Sequence, residues 1–515
     1  MQNLDALLLT VLLTALAVAA AAAHGIAGRY RKAMLHHMGA APSAPAASPA
    51  PPTLLETPPR ARFDLPLNRR QTRRLSITLT AISALIGLSC AAFELLVVHT
   101  EGGFGGRKLI LLALTYTWPV VPALGLLWRW SMARTVIAVA LYLAALAPLI
   151  LLGSNAEQSL RLVTTWLAST TVLPLIALFG LTASGRIRAI APLLFPPALL
   201  MTGASWPGIE TLAASIDAPP DALVAMVDGI GAIPTIAVFA LAPWLVGVWP
   251  ALAVVRAVAR AYRAKRFSEL AYLFGMFWLV VLISMAIPSL HSTAGAGALA
   301  IVLAWLWVPI GFGAARDWLA PPRAAPTLLV LRVFRRDAAV EALFDAVTER
   351  WRASGNTVLI AGTDLVTRTL DPDDLFVFLS RRLGERFITR AGHIPDRLAG
   401  FDMAPDHDGR YRINECYCND TTWQPTLNAL LQRSDAVLMD LRDFTAANAG
   451  CRFELDALAG ANHVGRIAIL FNAATDRRTA EADLGAATAR CQWIEVPARP
   501  RGLGRRVLAA LATPA

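Results

Sequence analysis

Between residues 4 and 315 the chain falls into apolar runs of about 20 residues, a spacing that constrains its fold more than any motif does. Twenty residues of α-helix rise about 30 Å, the thickness of a bilayer's hydrocarbon core. Lipid offers no partner to backbone N–H and C=O groups, so each run is expected to be a helix that satisfies its own. Composition agrees, since 56% of residues are hydrophobic and 16% charged, too apolar for a soluble protein of 515 residues. Nine runs qualify: 4–23, 75–98, 109–128, 134–153, 162–182, 187–203, 229–254, 270–290 and 296–315. The run 187–203 is short and carries Pro196-Pro197, a pair that membrane helices tolerate.

The basic residues orient these spans. With the amino terminus outside, the inward loops hold Arg29, Arg31, Lys32, Arg60, Arg62, Arg69, Arg70, Arg73, Arg74, Arg129, Arg134, Arg186, Arg188, Arg256, Arg260, Arg263, Lys265 and Arg266. The outward loops hold only Arg107, Lys108 and Arg161. That asymmetry follows the positive-inside rule, and nine spans then put the carboxyl terminus in the cytosol. The expected location is the cell inner (plasma) membrane. Met1–Asp5 has no basic side chain ahead of the first apolar run, unlike a signal peptide, so 1–23 is expected to stay as the first transmembrane helix. Residues 24–74 read as a basic, Pro/Ala-rich cytosolic loop, with 39–59 as a flexible tether. Eight further spans fill 75–320.

The net charge of +11 sits mostly in these membrane-flanking loops, which points to the lipid bilayer as partner and away from nucleic acid. Glu94 is the one carboxylate expected inside a span; it serves either a function there or the interface near the outer end. Of five cysteines, Cys90 lies in a span, whereas Cys416, Cys418, Cys451 and Cys491 are expected to be reduced cytosolic thiols.

Past Pro321-Pro322 the pattern changes to that of a soluble domain, 326–515. Thr327–Phe334 reads as a buried strand. Asp337 then caps an amphipathic helix bearing Val340, Leu343, Phe344, Val347 and Trp351 on one face, closed by Gly355. Further strands are expected at Thr357–Ala361, Ala436–Leu441, Arg466–Phe471 and Gln492–Val496, with helices near 373–387 and 420–433. Residues 388–419 read as an insertion with a short hairpin around Tyr411–Cys416. Alternating strands and helices imply a parallel sheet covered on both faces, with its ligand site beyond the strands' carboxyl ends. The expected architecture is a membrane all-α helical bundle of about nine transmembrane helices followed by a cytosolic α/β three-layer domain with a parallel, flavodoxin-like sheet.

Two stretches of this domain resemble a TIR (Toll/interleukin-1 receptor) domain. One is Leu331-Arg332-Val333-Phe334-Arg335-Arg336-Asp337 with its helix and Gly355; the other is Ser434-Asp435-Ala436-Val437-Leu438-Met439-Asp440-Leu441 continuing to Gly450-Cys451-Arg452-Phe453-Glu454-Leu455. Arg466–Phe471 resembles the family's next strand. Gly450 stands where the family has Trp, and Asp440 where it commonly has Ser. The resemblance implies signalling or defence through nucleotide binding or domain self-association. It also implies an alternative, an NAD glycohydrolase with NAD as substrate. In that reading Glu454 stabilises the oxocarbenium-like transition state and Arg335 and Arg336 bind the diphosphate. Without such a role, Glu454 would offset the helix dipole and the arginines would make surface pairs.

A different class of function, a transporter or channel regulated by the C-terminal domain, would need more buried ionisable groups than the spans carry. Cys416-Tyr417-Cys418 with His393 and His407 lacks the second Cys pair of a zinc site, so no metal is expected. Asp371, Asp373 and Asp374 suit a helix start, and Trp423 and Phe444 suit the core. The phosphate-loop, dinucleotide-loop and nucleophile-elbow signatures are absent.

Overall fold

In a computed structural model of the chain, residues 4–39, 61–99, 104–153, 159–182, 187–215, 218–321, 324–332, 347–361, 372–419, 421–497 and 502–512 are described. The chain divides into two compact units. The first comprises Met1–Arg29, Thr78–Gly313 and Thr369–Phe376; the second comprises Tyr30–Ile77, Ala314–Arg368 and Val377–Ala515.

The first unit is helical. Among the described residues, eight helices are long and apolar enough to cross a membrane: Leu7–Met38, Leu65–Val98, Gly106–Leu127, Met132–Gly153, Leu160–Thr182, Ala232–Arg263, Glu269–Ser289 and Gly295–Ala314. The expected run 187–203 falls in a ninth helix, Ala191–Ala214, which is not among these eight. Thr202, Ser205, Glu210 and the prolines at 196, 197 and 207 dilute its hydropathy, although the helix continues through all three prolines. It packs along Ala232–Arg263 through small residues, as membrane helices do. A Cβ on Gly208 would collide with the Phe239 carbonyl, and one on Gly247 would lie 2.8 Å from the Ala204 methyl. Trp244 Nε1 donates to Ser205 Oγ across the same seam.

Glu94 opens a π-helical turn, Glu94–Val98, and pairs with His99 at 2.9 Å. His99 is 69% exposed, so this acid sits at the end of its helix with a partner rather than alone among apolar side chains.

The second unit is built on seven parallel strands: β1 (Thr327–Arg332), β2 (Asn356–Ala361), β3 (Phe387–Ile388), β4 (Ile413–Cys418), β5 (Ala436–Asp440), β6 (Arg466–Phe471) and β7 (Cys491–Glu495). Their order is β3-β4-β2-β1-β5-β6-β7. From β1 the chain winds outward through β2 and β4 on one side and through β5, β6 and β7 on the other. Winding direction therefore reverses between β1 and β5, the place where such sheets open a crevice at the strands' carboxyl ends. β5 is buried along its whole length, as a central strand covered on both faces must be.

The expected hairpin around Tyr411–Cys416 does not form. Ile413–Cys418 is instead a parallel strand whose Thr357↔Ile413 register lets Cys416 and Tyr417 complete β2's hydrogen-bond ladder. The helix expected over 373–387 is shorter, Pro372–Leu379, because the chain must turn at Arg381 (φ +58°) to reach β3. Of the expected helix after β1, Val347 and Trp351 are fully buried; Asp337, Val340, Leu343 and Phe344 lie outside the described residues, as does Asp371.

Residues 24–74 are not loop at their ends, since one helix runs Leu4–Gly39 and the next begins at Leu65. From Tyr30 onward both helical ends belong to the sheet unit. Tyr30 OH lies 3.2 Å from Tyr417 OH, and the His37 ring meets Phe387 at 5.4 Å, so this helix end packs on the side chains of β3 and β4. Phe63 stacks on Trp351 at 4.1 Å, and Asn68 Nδ2 donates to the Arg350 carbonyl at 2.7 Å and to Ser354 Oγ at 2.9 Å. Asp435 accepts from the backbone N–H groups of both Thr327 (2.8 Å) and Ala61 (3.2 Å). The expected tether, 39–59, lies outside the described residues apart from the helix end at Gly39.

Candidate functional site

The crevice at the reversal is edged by the end of β5 and the helix that follows it, Ala449–Gly460. In register, Arg332 of β1 faces Asp440 of β5. Asp440 is buried and held two ways by Arg442: Oδ1 accepts from Arg442 Nε at 2.8 Å, and Oδ2 accepts from Nη2 at 2.6 Å. A carboxylate so paired fixes the turn after the strand. Asp443 adopts a left-handed conformation (φ +59°) and exchanges hydrogen bonds with the Asn472 side chain at 3.0 and 3.1 Å. Thr475 Oγ1 donates to the Leu441 carbonyl at 2.9 Å, so the loops after β5 and β6 are stitched together.

Glu454 sits on the helix beyond that rim. Cys451, Glu454, Leu455 and Leu458 follow the i, i+3, i+4, i+7 spacing of one helical stripe, and the three apolar members are buried. Glu454 thus places a carboxyl on the stripe that packs inward. Its Oε2 is closed off from solvent and has no hydrogen-bond partner. Burial pushes the carboxyl up from its ordinary 4.5 to about 8, so at neutral pH it is mainly the protonated acid. The same region raises the Cys451 thiol to about 12, first through burial and then through the charges of Glu454 and Asp440. That cysteine is a packing thiol and no nucleophile.

A neutral buried acid can donate one hydrogen bond and accept others, but it offers no negative charge to an oxocarbenium ion. Glu454 becomes an anion only if a ligand supplies a cation or hydrogen-bond donors to it. Arg335 and Arg336, the other expected site residues, follow directly on β1 in sequence but lie outside the described residues.

Trp423 and Phe444 take core positions: Phe444 is fully buried, and Trp423 meets Phe453 edge-on at 5.2 Å. Cys416 and Cys418 lie on β4, where burial raises both thiols, Cys418 to about 11. Among the described residues no three or more His, Cys, Asp or Glu side chains come together as a metal site.

Two buried charge groups went unread in the sequence. Glu349 bridges Arg352 and Arg410, all but shut off from solvent, and Arg412 grips Asp406 at 2.7 Å. Burial holds Asp406 at about 6 despite that arginine. These groups secure the 402–412 segment ahead of β4, and their only sequence signal is the density of charge around Asp406-His407-Asp408-Gly409-Arg410. No family model, curated protein or solved structure matches this chain. The fold and the side-chain chemistry alone carry the functional reading.

Proposed function

We propose that this multi-pass membrane protein signals or acts in defence through its C-terminal α/β domain, which binds a nucleotide at the β1–β5 crevice or self-associates there. The observation that carries the reading is Glu454, whose Oε2 is closed off from solvent without a hydrogen-bond partner, on the helix that follows β5 at the topological switch point of a doubly wound sheet. A structural acid with no partner costs stability, and a ligand donor group offsets that cost. The NAD glycohydrolase reading requires Glu454 to ionise when NAD binds; its protonated resting state favours the binding role.

We place the protein in the cell inner membrane with its amino terminus outside and the sheet unit cytosolic. The distribution of Arg and Lys supports that orientation. A parity argument bears on the number of crossings. Tyr30–Ile77 and Ala314–Ala515 share one compact unit apart from 369–376, so an even number of crossings must separate Ile77 from Ala314. Seven of the eight apolar helices lie between or reach across those points, and Ala191–Ala214 supplies the eighth crossing.

The test uses the full chain in nanodiscs, titrated with NAD and ATP while its unfolding midpoint, cross-linked dimer yield and free nicotinamide are followed. Nucleotide should raise the midpoint, and Glu454→Ala should abolish the response. Nicotinamide release that Glu454→Ala removes would replace binding by NAD cleavage. If neither nucleotide response nor self-association occurs, the proposal fails.

A further inference from the structure

The helix Leu65–Phe93 has two unlike faces over its first turns. Asn68, Gln71, Thr72 and Leu75 are buried, the i, i+3, i+4, i+7 stripe of a packed helix. Asn68 Nδ2 secures the start of that stripe by donating to the Arg350 carbonyl and to Ser354 Oγ, and Gln71 Nε2 donates to the Ala320 carbonyl at 3.4 Å. The other face is left uncovered. With 3.6 residues per turn, Arg69, Arg70 and Arg73 fall together on it, and all three are exposed. Among the described residues none of these three side chains makes an ion pair or a hydrogen bond.

Followed along the same helix, the exposed face changes character after Arg73. Ile77, Ala81, Ala84 and Leu88 continue it at the same helical spacing, with Ile77 49% and Leu88 44% exposed. The change takes one turn, about 6 Å. A face that is basic for one turn and apolar from the next matches a bilayer, whose charged headgroups lie directly on its hydrocarbon. Nucleic acid would match only the basic half. Trp318 is a second mark of headgroup depth. It lies just past the apolar helix Gly295–Ala314, is 49% exposed, and has the Arg74 guanidinium 4.5 Å from its ring. Arg74 also donates to the Trp318 carbonyl at 3.0 Å, so this tryptophan is tied to the helix that carries the arginines. Tryptophan is enriched where spans meet the headgroup layer.

We propose that Arg69, Arg70 and Arg73 form a docking surface for anionic phospholipid headgroups. Each guanidinium presents a planar fork that fits phosphate oxygens, and a layer of acidic headgroups engages all three at once. Asn68 and Gln71 tie the opposite face of the helix to the sheet unit, so headgroups that grip the arginines hold that unit at the membrane surface. The surface rests on the membrane reading and not on the crevice around Glu454, so nucleotide binding can fail without it.

The full chain is reconstituted in nanodiscs that hold phosphatidylglycerol or phosphatidylcholine bearing the same photoactivatable group near the headgroup. Labelled peptides from residues 65–77 are then quantified by mass spectrometry. Wild type should favour phosphatidylglycerol, and the preference should weaken as salt is raised. Arg69→Gln/Arg70→Gln/Arg73→Gln should lower the preference by about a hundredfold and Arg70→Gln alone by about fivefold, the scale of basic side chains at an anionic surface. Arg69→Lys/Arg70→Lys/Arg73→Lys keeps the charge and should keep most of the preference. Three exposed arginines elsewhere in the sheet unit provide the control, and Arg478→Gln/Arg505→Gln/Arg506→Gln should leave the preference unchanged. An equal fall in that control would trace the effect to net charge and overturn the proposal. If the triple glutamine variant does not insert, Arg70→Gln and the lysine variant carry the test. A wild type without preference, or glutamine variants that retain it, overturns the proposal. So does a DNA duplex that displaces phosphatidylglycerol from wild type at equal phosphate concentration, which would make the face a nucleic-acid surface.

Discussion

The helix Ala232–Arg263 and the strand β5 are both apolar, yet their surfaces are opposite. On the helix Ile233, Leu245, Val246 and Trp249 are 82, 74, 75 and 69% exposed, whereas every residue of β5 from Ala436 to Asp440 is buried. In water a helix with that much exposed Leu, Ile and Val would aggregate, so the contrast identifies two solvents. The sheet hides its apolar groups from water by packing; the helix leaves them on its surface, as suits a helix long and apolar enough to cross a membrane. Glu269–Ser289 shows the third case, a span enclosed by other helices and buried from Leu270 to Ala286 over most of its surface.

The comparison breaks most easily at the sheet. Phe444 is fully buried against the β5 layer, and Phe444→Ala should cost about 3–5 kcal/mol through lost burial and a cavity. Denaturant unfolding followed by the sheet unit's signal measures this, and a loss below about 1 kcal/mol would mean that the β5 layer is not packed as described. On the helix the corresponding change is Val246→Lys. A lysine at a lipid-facing position near the middle of a span should cost about 3 kcal/mol of insertion free energy. The inserted fraction of Ala232–Arg263 in a translocon assay reads it directly; undiminished insertion would place that face against water or protein.

The smallest of the three effects sharpens the account of Glu454. Its carboxyl is held at about 8 when folded, against 4.5 ordinarily, so the folded state binds the proton more tightly. The stability linked to that proton is complete below pH 4.5 and is lost as pH climbs to 8. Glu454→Gln keeps the shape without the proton and should lack this slope. The variant should therefore gain on wild type by about 1–3 kcal/mol between pH 5 and pH 8.5, the cost of a buried unpaired acid. Parallel stability curves for the two proteins over that range would show that Glu454 is solvated or paired.

Particular residues show what was legible. β1, β2, β5 and β6 announce themselves as short apolar runs between breakers, and a central parallel strand reads that way because both its faces are covered. β4 does not. Asn414, Glu415 and the two cysteines of Ile413–Cys418 look like a polar hairpin until β2 supplies the partner ladder. β3 has two residues, too few for any period to register. Glu454 was legible as a residue of interest, but its protonation was not, since that depends on closure of Oε2 from solvent. Arg69, Arg70 and Arg73 read as inward-facing charge, and only the tertiary structure, by burying Asn68, Gln71 and Thr72, leaves them on one exposed face with Ile77 and Leu88.

The sequence by itself determined the two solvents. Run length and the placement of arginines act locally, through the thickness of the bilayer and the cost of moving charge across it. The tertiary structure decided that Tyr30–Ile77 belongs with the sheet, through Tyr30 on Tyr417, Phe63 on Trp351 and Asn68 on Arg350. Those partners are between 282 and 387 residues apart in the chain, and no local period encodes such a pairing. It is made by complementary burial of surfaces that meet only when the chain has folded.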